Sequence, residues 1–196
     1  MIDSVKAVKV NQCKGDVRIM IEHYYNRLCE FTRFNSIPEF CGPELKGGKT
    51  VLLDVPGFIQ TDGYSCGFLS ALAVLRTFKP KANARRLYNR VKPCTINGTP
   101  TSRLVTALRK SGIVVGVRYR MGYTSLIKNV MAGFPTIVST GEGGPDHWAV
   151  VVGASDKHVY LMGHGPGWLC SKGRFTQKQF ERIWCPKGFG LVCSGK

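Results

Sequence analysis

Apolar positions along the chain change their spacing several times, and each change marks an element. From Asp16 to Phe34, the residues Val17, Met20, Ile21, Tyr24, Leu28 and Phe31 recur at helical intervals, with Asp16 suited to a first turn. Cys41 to Gly48 interrupts that rhythm with Gly and Pro and reads as a loop. Residues 1–49 are therefore expected to form an N-terminal helical extension. Val51 to Val55 is a short apolar strand stopped by Pro56-Gly57. Cys66 to Phe78 is apolar on nearly every face, the pattern of a buried central helix. Further helices are predicted over 82–91, 101–110 and 123–131, with strands over 113–119 and 135–139. Trp148–Val152 and His158–Met162 flank Gly153-Ala154-Ser155-Asp156-Lys157 and predict a β-hairpin. Thr176 can cap a helix over 177–184, and 188–193 reads as a closing strand. Helices first and an antiparallel sheet afterwards make residues 50–196 an α+β domain.

Composition narrows the class. The chain has 196 residues, 43% of them hydrophobic, which suits one well-buried domain with an extension rather than two domains. No stretch approaches the roughly 20 apolar residues that span a bilayer. The start, Met1 to Lys6, carries no signal-peptide pattern, so a cytoplasmic location is expected. Eight cysteines (13, 29, 41, 66, 94, 170, 185 and 193) include no Cys-x-x-Cys pair and no zinc-finger spacing with histidine. Most are expected to be free buried thiols, and no metal or other cofactor is implied.

Charge adds a second expectation. The formal net charge is +16, and no Asp or Glu occurs between Asp62 and Glu142. That interval holds thirteen basic residues, from Arg76 to Lys128. A lobe of one sign attracts acidic proteins or nucleic acid, or simply keeps the protein soluble. No aromatic-basic interleaving of a nucleic-acid module accompanies it.

The candidate chemistry centres on Cys66. A thiolate is the nucleophilic form, and the first turn of a helix favours negative charge through its unpaired N–H groups. Ser65 is a candidate N-cap, and Gly67 would leave room for a substrate backbone. Six residues earlier, Gln60 can donate its amide to the oxyanion formed on an attacked carbonyl, together with the Cys66 N–H. His147 opens a strand behind a glycine-rich loop and is the candidate base. Trp148 beside it can wall a substrate groove or fill the core, and Trp168 has the same two readings.

Leu53-Asp54-Val55-Pro56 with Gln60 and Cys66-Gly67 resembles the papain-like peptidases that process bacteriocin double-glycine leaders. So do Gly98-Thr99 before a helix, Gly133 to Val138, and His147-Trp148-Ala149-Val150-Val151-Val152-Gly153. The resemblance covers about residues 50–193. It implies a papain-like cysteine-peptidase fold with Cys66 as nucleophile, His147 as base and Gln60 in the oxyanion hole. That family orients its histidine with an Asp in an Asp-Pro pair, whereas this chain has Met162-Gly163-His164-Gly165-Pro166. A hairpin turning near Ser155-Asp156 would set Gly163 or His164 opposite His147. His164 could then accept a hydrogen bond from His147, as in the Cys-His-His cell-wall endopeptidases. Alternatively, a backbone carbonyl orients a Cys-His dyad, or His164 sits exposed in a glycine-rich loop.

The leading expectation is thus a cysteine-dependent hydrolase of amide bonds, peptide or isopeptide, with a polypeptide substrate. Transferase and deamidase variants of the same chemistry stay open. The other reading is a catalytically degenerate domain that binds a peptide, an acidic partner or nucleic acid through residues 76–128.

Overall fold

The structure is a computed structural model, and it describes residues 50–58, 60, 62–141, 147–162 and 173–196. The N-terminal extension, Asp146, Gly163, His164 and Trp168 lie outside the described residues. In chain order the elements are β1 (Val51–Leu52), α1 (Cys66–Phe78), α2 (Ala84–Val91), α3 (Thr101–Lys110), β2 (Ile113–Arg118) and α4 (Tyr123–Met131). They continue with β3 (Thr136–Thr140), β4 (His147–Ala154), β5 (His158–Met162), β6 (Arg174–Thr176), α5 (Gln177–Ile183) and β7 (Gly190–Gly195). All strand pairings are antiparallel, in the order β2-β7-β3-β4-β5-β6, with β1 paired to the end of β4. The α+β expectation holds.

Helix α1 spans the predicted residues, and Cys66 through Leu75 are all buried. It packs chiefly on β4. Side chains alternate along β4, so Ala149 and Val151 join Leu126, Val130, Val159, Leu161 and Phe180 in one core beneath α4 and α5. Val150 and Val152 therefore face the other way. A β-bulge between Val151 and Gly153 shifts the alternation by one, and Ala154 rather than Gly153 rejoins the first core. At Gly153 a side chain has no room, since an added Cβ would stand 2.7 Å from the Val51 carbonyl oxygen.

The same hairpin corrects one expectation. Its turn lies between Ala154 and Val159, tightened by Ser155, whose N–H bonds the His158 carbonyl and whose hydroxyl accepts from the Lys157 and His158 N–H groups. The turn centres one residue later than the sequence suggested, and the bulge takes back part of that offset. Val150 is paired with Met162, not with 160 or 161. The pairing used to set Gly163 or His164 opposite His147 is therefore not the one observed.

Smaller departures have local causes. β1 stops at Leu52 because Val55 N–H turns back to the Leu53 carbonyl and lifts the chain off the sheet. The closing strand begins at Gly190, since Gly188 has a φ of +80°, outside the strand region. α2 begins two residues late, where the Asn83 side chain caps the Arg86 N–H. α5 carries the cap predicted at Thr176, and the structure completes it into a capping box with Gln179 as the second member. β6, only three residues long, carries no period-two signal and was not foreseen.

The basic lobe has internal work. Lys79 Nζ donates to the Ser111 carbonyl at 2.7 Å, and Arg90 to the Lys110 carbonyl at 3.0 Å, both at the C-terminal end of α3. Arg103 reaches the Lys92 carbonyl that ends α2. Arg76 and Arg109 also bond backbone carbonyls, of Ala82 and Val115. Five of the thirteen cations thus serve backbone carbonyls, three of them at helix C-termini, where the dipole favours positive charge.

Candidate active site

The chain folds Cys66 and His147 into one cleft because each opens a rigid element. Cys66 is the first residue of α1, and His147 is the first residue of β4. The cleft holds about 630 Å³. It is lined by Tyr64, Cys66 and the segment from Ile96 to Thr101, together with Ser139, His147, Trp148, Pro186 and Phe189. The backbone N–H of Trp148 is aimed at the Cys66 sulfur, which brings the nucleophile to the residue beside His147. His147 Nε2 is buried. Thr140, its neighbour in β3, holds the start of β4 through a hydrogen bond to the His147 carbonyl.

Electrostatics at Cys66 oppose the expectation from helix position alone. Burial pushes the thiol up from its ordinary value. The N–H groups of Trp148, Gly67 and Cys66 pull it back only in part, and the Asp62 carboxylate adds to the rise. The thiol therefore rests protonated near neutral pH. Cys94 behaves oppositely. N–H groups of Asn97 and Ile96 lower it, with the Arg103 charge assisting. Cys193 is buried and pushed up to about 12, so it is inert.

Asp62 is a residue that the sequence reading missed. Its Oδ1 accepts from the Tyr64 N–H at 2.9 Å and the Ser65 N–H at 2.7 Å, an Asx-type turn that feeds the chain into α1. Ser65 occupies the N-cap position but makes no side-chain cap bond, so the expected role of Ser65 passes to Asp62. Gln60 is buried in the same turn, and its Nε2 donates to the Asp62 carbonyl at 2.5 Å. It does not line the cleft; one amide hydrogen remains beyond the bond to Asp62.

Gly67 is a glycine for another reason than the one expected. A Cβ there would stand 2.6 Å from Thr99 Cβ and 2.9 Å from Trp148 Cδ1. The space is taken by protein and not left for substrate. Neither neighbour can step aside, because Thr99 is buried and Trp148 Nε1 donates to the Thr99 carbonyl at 3.1 Å. Trp148 also meets the Phe189 ring edge-on, with centroids 6.1 Å apart, and Phe189 packs against Tyr119. Gly67→Ala is expected to destabilise the protein by about 1–3 kcal/mol, the usual cost of overpacking. Denaturant unfolding followed by tryptophan fluorescence measures it; an unchanged midpoint would mean that the wall yields freely.

Neither a protein-family profile nor a curated protein sequence matches the chain. Solved structures do. A double-glycine-motif protease from an AMS/PCAT transporter, crystallised with its leader peptide, is 20% identical; the match covers 74% of this chain and 94% of that one, with a TM-score of 0.59. The peptidase domain of Streptococcus ComA, a bifunctional ABC transporter of a quorum-sensing pathway, is 18% identical, covering 71% and 97%, with a TM-score of 0.59. The peptidase domain of Streptococcus mutans ComA is 21% identical, covering 70% and 97%, with a TM-score of 0.52. No helix among the described residues is long and apolar enough to cross a membrane. The resemblance read from Gln60, Cys66-Gly67 and the His147 strand is thus matched in three dimensions, and the chain has the papain-like fold of double-glycine peptidase domains.

Proposed function

We propose that the chain is a cysteine peptidase working through an acyl-enzyme, with residues 50–196 as its catalytic domain. The observation that carries this reading is the meeting of Cys66, at the head of a buried helix, with His147-Trp148, at the head of a strand, in one cleft. His147 takes the Cys66 proton as the sulfur attacks a peptide carbonyl, because burial keeps the thiol protonated at rest. The oxyanion is held by the Cys66 N–H, and Gln60 joins it when its amide turns from the Asp62 carbonyl into the cleft. His147 returns the proton to the leaving amine, the C–N bond breaks, and a thioester joins Cys66 to the acyl half. Water, deprotonated by His147, then releases the acid and the thiol. In this reading His147 is oriented either by His164 or by a backbone carbonyl, in place of the family's aspartate. A polypeptide substrate is supported by the leader peptide bound to the similar AMS/PCAT protease.

One observation favours a second reading, an inert peptide-binding domain: the upward shift of the nucleophile. Thiol reagents separate the two. The small reagent iodoacetamide is expected to modify Cys94 readily, since its thiol is lowered and partly exposed. Acetyl-Ala-Gly chloromethyl ketone, which presents a peptide backbone, is expected to reverse the order and modify Cys66 first, as read by peptide mass spectrometry. Modification of Cys94 ahead of Cys66 by both reagents would sink the peptidase reading.

A further inference from the structure

Two buried polar atoms flank the start of α1 without a hydrogen bond to any described residue: Gln60 Oε1 and Thr99 Oγ1. Gln60 has a bond through its nitrogen, but Thr99 has none through its hydroxyl. The residue is 4% exposed and belongs to the wall of the cleft that holds Cys66 and His147. Its position is fixed by backbone. Reciprocal bonds between Cys94 and Gly98, of 2.7 and 2.8 Å, close the turn before it, and Gly98 takes a φ of +60° to deliver it. Its carbonyl holds the Trp148 indole. Its Oγ1 would lie 2.9 Å from a Cβ on Gly67, the residue next to the nucleophile.

A buried hydroxyl without a partner destabilises the free protein, and such a cost is tolerated where a ligand relieves it. His147 must reach the leaving amine, so the amine half of a substrate lies on the His147 side of Cys66. The acyl half stays bonded to Cys66, beside Gly67, and Thr99 packs against Gly67.

We propose that Thr99 is a substrate-positioning residue, its hydroxyl donating a hydrogen bond to a backbone carbonyl of the polypeptide on the acyl side of the scissile bond. The inference rests on the peptidase reading and deepens it. Such a contact binds main chain, so it applies to polypeptides of any sequence that fit the cleft.

The test compares Thr99→Val, which keeps the shape and removes the hydroxyl, with Thr99→Ser, which keeps the hydroxyl. The rate at which acetyl-Ala-Gly chloromethyl ketone modifies Cys66 is expected to fall about tenfold in Thr99→Val, the worth of one hydrogen bond. The iodoacetamide rate at Cys66 serves as the reference, because that reagent offers no peptide backbone to align. Thr99→Ser should recover most of the loss. A merely structural hydroxyl would lower the melting temperature when removed; here Thr99→Val is expected to raise it by about 2–4 °C. Equal ketone rates in Thr99→Val and the parent, or a lowered melting temperature, would overturn this inference alone. Failure of the ketone to prefer Cys66 in the parent protein would overturn the peptidase reading and this inference together.

Discussion

Cys66→Ala is expected to reduce peptide hydrolysis by at least about 10⁴-fold, because every covalent step passes through this sulfur. The loss should appear in kcat with little change in KM, since alanine leaves the cleft open and the walls at Thr99 and Trp148 in place. Stability should barely fall. The thiol sits at the edge of the core at the first residue of α1, and burial already disfavours its ionised form. Cys94→Ser is the matched control: Cys94 is the more readily ionised thiol, so a reaction owed to adventitious thiol chemistry would follow Cys94. Hydrolysis measured by mass spectrometry on a mixed peptide library should be lost in Cys66→Ala and kept in Cys94→Ser. Retention of hydrolysis in Cys66→Ala would remove the mechanism.

The two ends of the chemistry were legible in the sequence for a simple reason. Cys66 and His147 each stand at the boundary of an element with a strong local signal, an all-round apolar helix and an apolar run after a glycine loop. Local pattern therefore located them, and the bounds of α1, α3 and α4 agree with the apolar rhythm. The residues that shape the space between them were not legible. Trp148 contacts Thr99 across 49 residues of chain, and no local pattern reports such a bond. Gly67 looked like room for substrate, because its crowding depends on that same distant pair. The helix position of Cys66 suggested a lowered thiol, whereas burial, which only packing reveals, outweighs the N–H groups. Asp62 was findable: an Asp three residues before a helix N-cap is a recognisable Asx turn. The charge of residues 76–128 was plain, but its use on helix-end carbonyls depends on how α2 and α3 lie together.

His147→Gln is the second large effect expected, a fall of about 10²–10⁴-fold in kcat/KM at neutral pH, the usual worth of a positioned base. Glutamine can fill much of the space but cannot accept and return a proton. The pH dependence tells this role apart from a packing defect. In the parent enzyme the rate should rise with pH only until the imidazole is neutral and then level off. Without His147 the thiol must ionise unaided, and burial has moved its ionisation above the ordinary thiol value. The sign follows: raising the pH converts the resting thiol to thiolate, so the variant's rate should keep climbing through the alkaline range while the parent's is flat. The gap between them should narrow by about tenfold per pH unit until the thiol titrates. Two profiles of the same shape, merely displaced in rate, would mean that His147 shapes the cleft without moving the proton. A converging pair places the proton transfer at His147 and explains how a buried, protonated thiol serves as a nucleophile.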